Sequence, residues 1–211
     1  MARRQILPFL KIVLVCAAAA GANFGLSTLL VHVLKAPLYL DTLFTVALSF
    51  SAGILPGLFT ALLTQLATGI RESSVTPFVL CSIAEVLLVC RLNPASVPKR
   101  RQSDRIVMIQ QARASASWIS IFAGLLLLYI AACIAISVLG GTIDFLYHSV
   151  WLKPKSYFSA EDTFKIGLLR QNSIPVLAMD ILSRIPVNLV DRFIVIFGGF
   201  LISRGLNRVL R

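Results

Sequence analysis

Apolar residues in this chain gather into long runs with few charges, at residues 12–33, 38–70, 75–89, 118–139 and 185–202. A bilayer core about 30 Å thick takes roughly 20 residues of helix to cross. The runs at 12–33, 75–89, 118–139 and 185–202 therefore predict transmembrane helices. The run 38–70 is too long for one span, because a single helix of that length would measure about 50 Å. Pro56-Gly57 interrupts it, since proline removes a backbone donor and clashes with the preceding turn. The pattern thus predicts two short helices, 41–55 and 57–70, crossing obliquely or meeting in a re-entrant hairpin. The expected fold class is all-α: a polytopic membrane bundle of about six helices, forming a single domain over residues 1–211.

Charge placement supports the count of six. With the N-terminus inside, the inner segments hold twelve Lys and Arg against one acid, Asp104. The outer segments hold eight basic residues, counting Arg192 just inside the last span, and seven acids. Short inner loops rich in Lys and Arg are the positive-inside pattern. One span at 38–70 would put the basic loop 93–117 outside. The expected location is the cytoplasmic (inner) membrane, multi-pass, with both termini cytoplasmic. Arg3, Arg4 and Lys11 ahead of the first run resemble a signal peptide, but a secretory apolar region is only about 7–15 residues. An uncleaved first helix fits 12–33 better. Loop 93–117 reads as a solvated loop or as a surface for anionic lipid headgroups or an acidic partner. The outer segment 140–184 carries Tyr147, Trp151 and Tyr157, which suit a membrane interface. Its amphipathic stretch 164–182, interrupted by Pro175, predicts short helices across the outer mouth.

Composition narrows the function. Apolar residues make up 57% of the chain and charged residues 14%, with a mean hydropathy of +0.86. The net charge of +11 does not point to nucleic acid, because the basic residues lie between spans and not along one helix face. Cys16, Cys81, Cys90 and Cys133 fall in or beside apolar runs without a CxxC pair, which reads as buried free thiols. His32 and His148 are far apart, and no hydrolase or nucleotide-binding motif is present. Neither a cofactor, a metal site nor a catalytic residue is expected.

Polar residues inside the spans are the candidates for function, since each is costly in hydrocarbon and faces the bundle interior. They are Asn23 in the first helix, Gln65 in the third, Glu85 in the fourth, and Asn188, Asp191 and Arg192 at the start of the last. Asp41 opens the second helix. Asp41 and Asp191 each follow a proline, so either can cap a helix N-terminus, contact a ligand, or do both. Glu85 lies over two turns into its span, where a carboxylate needs a partner or a proton. The first helix also places small residues every fourth position, at Ala18 and Ala22 or at Ala17, Gly21 and Gly25. Such a face admits another helix backbone, within the bundle or on a separate membrane subunit.

Pro37-Leu38-Tyr39-Leu40-Asp41-Thr42, an apolar helix, and then Gly53-Ile54-Leu55-Pro56-Gly57 resemble the second and third helices of S components. These are the substrate-capture subunits of energy-coupling-factor vitamin transporters. The closing Pro186-Val187-Asn188-Leu189-Val190-Asp191-Arg192 helix with its basic tail is similar to their last helix, as is the Ala18/Ala22 face to their first. These stretches cover about a third of the chain, and the outer segment 140–184 is longer than the family pattern. The resemblance implies a vitamin-like small molecule captured at the outer face, with Asp41, Asn188, Asp191, Arg192 and Asn23 as candidate contacts. It further implies docking through Ala18 and Ala22 onto a membrane coupling subunit driven by two ATPase subunits. The alternative from a different class is a membrane sensor or assembly protein without transport.

Overall fold

Helix α1 runs over Ala2–Thr28 and continues as a π-helical stretch, Leu29–Val33. In the computed structural model the described residues are 2–36, 38–71, 77–94, 118–147 and 174–210. Most of loop 93–117, and residues 148–173 of the outer segment with Trp151 and Tyr157, lie outside them. The remaining rods are α2 (Leu43–Ala52), α3 (Ile54–Arg71), α4 (Val79–Leu92) and α5 (Trp118–Phe145). The last rod, α6, begins as Val176–Phe193, passes through a π-helical stretch, Ile194–Gly198, and ends as Gly199–Leu210. Among the described residues the protein is therefore an all-α bundle of six rods. Four segments among the described residues are long and apolar enough to cross a membrane: Leu10–Val33, Ile54–Arg71, Trp118–Phe145 and Val176–Arg208. Helices suit that setting because they satisfy every backbone polar group internally. α2 and α4 are shorter, about 15 and 21 Å.

The directions of the rods follow from the residues that meet. Cys16, Asn23 and Thr28 of α1 contact Pro56, Thr64 and Arg71 of α3 in the same order, so these two run parallel. α2 runs against α1, with Asn23 at Thr45 and Cys16 on Leu48. α4 runs against α3, pairing Ser82 with Gln65 and Val86 with Gly57. α5 and α6 are antiparallel: Gly141 lies on Ile181, Ser137 on Asn188 and Trp118 on Arg204. α6 runs with α2, as Thr42 meets Arg192 and Val46 meets Gly199. Odd rods thus point one way and even rods the other. Val46, Val89, Leu128, Ala132, Val195 and Ile196 form the core where α2, α4, α5 and α6 meet. Large apolar side chains such as Leu55, Ile70 and Ile119 point outward, the arrangement expected where lipid is the solvent.

Two boundaries differ from expectation. The break between α2 and α3 falls at Gly53 and not at Pro56-Gly57. Gly53 has φ +89°, a conformation that glycine adopts without steric cost. Pro56 sits in the first turn of α3, where a missing N–H loses no intrahelical bond. The second difference concerns the outer segment, into which both flanking helices reach. α5 continues to Phe145, and α6 starts at Val176, directly after Pro175. Packing explains the extension. A Cβ on Gly141 would come 2.6 Å from Ile181 Cα, so this glycine lets α6 lie against α5 well beyond residue 139. Residues 176–182 are accordingly part of that rod and not of a surface helix.

Candidate functional site

The described residues between α1 and α2 are not helical, and Leu40 is buried there with φ +44°. Its backbone donors need partners, since irregular backbone within a membrane bundle persists only where protein or water satisfies it. Asp191 of α6 supplies them. Its Oδ1 accepts the N–H groups of Tyr39 at 3.0 Å and Leu40 at 2.9 Å. Its Oδ2 accepts from Arg192 Nη2. Arg192 in turn donates from Nη1 to Glu85 Oε2 at 2.5 Å and to Thr42 Oγ1 at 3.0 Å. Arg192 Nη2 lies 3.9 Å from Asp41 Oδ1. Three carboxylates from three segments therefore surround one guanidinium. Asp191, Glu85 and Arg192 are buried, whereas the Asp41 side chain keeps 28% of its surface exposed.

Depth corrects the expectation for Asp191 and Arg192. They do not lie in the first turns of the last helix. Pro186 is inside α6, and Arg192 stands about 24 Å along the rod from Val176. The cluster therefore occupies the middle of the rod. Asp191 satisfies backbone donors, as a capping residue would, but those of the segment before α2 and not of its own helix. Asp41 precedes the N-cap Thr42, whose side chain makes no capping bond, and it is Arg192 that Asp41 approaches.

The other candidates do not join this cluster. Asn23 fastens α1 to both neighbours: its Nδ2 donates to Thr45 Oγ1 at 2.9 Å and to Thr64 Oγ1 at 3.3 Å. Its Oδ1 accepts the Phe44 N–H at 2.9 Å, so Asn23 serves the first turn of α2 from outside. Asn188, one turn before Arg192, directs its amide away from the cluster, to Ser137 Oγ of α5 at 2.9 Å. Gln65 donates to Ser82 at 3.3 Å, linking α3 to α4. Ala18 is exposed and Ala22 half-buried. A Cβ added at Gly21 or Gly25 would meet nothing within 4 Å, while Cys16, Ala19, Ala20 and Asn23 turn inward. The small-residue stripe Ala17, Ala18, Gly21 and Gly25 thus lies on the outer surface of the bundle.

Residues missed from the sequence alone are Thr42 and the pair Arg184–Asp144, whose charged atoms approach to 3.9 Å. A signal existed. Asp180, Arg184, Asn188 and Arg192 recur every fourth position, which puts them on one helix face. Taking Pro186 as a helix start divides that face in two. Comparison of the chain with family models, with curated proteins and with solved structures finds no match among them.

Proposed function

We propose that this protein is the substrate-capture subunit, or S component, of an energy-coupling-factor uptake transporter. It captures a vitamin-like small molecule at the outer face of the cytoplasmic membrane. The carrying observation is the mid-bundle cluster of Asp41, Glu85, Asp191 and Arg192, where an unwound stretch meets the centre of another rod. Intramembrane ionisable groups and discontinuous helices of this kind mark binding sites in membrane carriers. Apolar walls would supply most of the contact area and the few buried polar groups would orient the ligand. Asn23 and Asn188 hold the surrounding helices, so their contribution to binding is one of position. In this reading the ligand comes from the outer side and reaches the cluster at Asp41, its partly exposed member. The protein performs no chemistry. ATP is hydrolysed on two partner subunits, and a membrane coupling subunit docks on the exposed Ala18 side of α1.

The test is gentle purification from membranes, with mass spectrometry of retained small molecules and identification of co-purifying proteins. A bound micronutrient together with ATPase subunits is the expected result. A retained molecule without ATPases would favour the sensor reading, and recovery of neither would remove the proposal.

A further inference from the structure

We propose that the captured molecule is a small organic cation, held through an ammonium-type group by Glu85 and Asp41; this rests on the capture reading above. Charge accounting within the cluster leads there. Asp191 is satisfied by two backbone N–H groups and Arg192. That leaves two further carboxylates, Glu85 and Asp41, to one guanidinium, whose Nε meets no acceptor. Glu85 is 1% exposed, yet its Oε1 accepts no hydrogen bond. A buried carboxylate oxygen without a partner is costly, more so in a bundle surrounded by lipid. Other charges do not relieve it. Arg184, two turns along α6, faces Asp144 and lies over the Phe78 ring at 5.0 Å. α2 brings no ionisable side chain. The nearby thiols of Cys81 on α4 and Cys133 on α5 bring no positive charge.

The surplus is therefore negative, and it faces a ligand carrying the opposite sign. An organic cation fits better than a metal ion. Among the described residues no three His, Cys, Asp or Glu side chains converge to hold a metal. A primary ammonium carries three N–H donors, to which Glu85 Oε1 and the two Asp41 oxygens offer acceptors. Asp41, the partly exposed member, is the side from which it enters. A carboxylate or phosphate ligand would meet repulsion at the same place.

The experiment uses the full-length protein in detergent at fixed ionic strength, with thermal unfolding as readout. Benzylammonium chloride, neutral benzyl alcohol and sodium benzoate are the probes. A saturable rise in unfolding temperature with benzylammonium alone is expected, its apparent affinity falling at least tenfold in Glu85→Gln and in Asp41→Asn. Asp41→Asn guards against misfolding of Glu85→Gln, because Asp41 is partly exposed and more distant from Arg192. An equal response to all three probes overturns the inference, as does a rise that follows sodium alone or a response unchanged in both folded variants. Failure of the two readings is distinguishable. A neutral or anionic molecule retained on purification refutes the cation while capture stands, and cation binding without ATPase partners refutes the transporter role alone.

Discussion

Arg192 is the cation that the three clustered carboxylates share, and its removal has a defined consequence. Arg192→Gln would leave Glu85, Asp191 and Asp41 together without a permanent cation. Breaking a buried ion pair from one side costs about 3–5 kcal/mol, so the variant should unfold well below wild type in a denaturant titration. Asn188→Ala should cost less, about 1 kcal/mol, typical of an interhelical hydrogen bond in a membrane bundle. Ser137→Ala should cost the same and the double variant no more, because both remove one bond. If Asn188→Ala weakened capture while Ser137→Ala did not, the amide would be touching ligand. The costly polar positions were legible in the sequence: Asn23, Glu85, Asp41, Asn188, Asp191 and Arg192 are all found at helix contacts. Their partners were not. Periodicity assigns a residue to a face but leaves its depth open, and Pro186 resembled a helix start.

At the scale of the element, glycines separate contacts made from contacts offered. Gly141→Ala would drive a methyl group into the Ile181 backbone, 2.6 Å away. Backbone cannot yield as a flexible side chain does, so α5 and α6 must part, at a cost of about 1–3 kcal/mol. Gly21→Ala and Gly25→Ala should leave stability unchanged or slightly raised, since each gains helix propensity in open space. Thermal unfolding of the three variants side by side checks both expectations. Ala18→Leu with Ala22→Leu tests the outer stripe as a docking face. The expected product is folded and ligand-competent but no longer co-purifies with a membrane partner. Unfolding of the isolated double variant would assign the face to internal packing, to which half-buried Ala22 is the nearer of the two. That the 38–70 run holds two helices was legible from its length, although α3 proves long enough to cross a membrane. The position of their break was not, because Gly53 and Pro56 are both breakers and only packing selects between them. Gly57 is held against Ser49 and Val86, which keeps Pro56 within α3.

For the molecule as a whole, alternation of the rods places the start of α1 near the end of α6, where Leu206 packs on Cys16 and Ala19. The basic surplus of the inner segments then predicts both termini and loop 93–117 on the cytoplasmic side. Single cysteines at Ser103 and Ser156, in a background lacking the native four, should react from opposite faces of sealed vesicles. Reaction of both from outside would sink this topology. The centre of α6 carries one more consequence. Pro186 offers no N–H to the Leu182 carbonyl, and the π-helical stretch begins two residues past Arg192. Two departures from regular α-helix thus flank the charged pair, and these are the places where a helix bends if it bends at all. From Arg192 to Arg208 the inner arm is about 24 Å long. A bend of only about 10° there would swing the basic tail by about 4 Å.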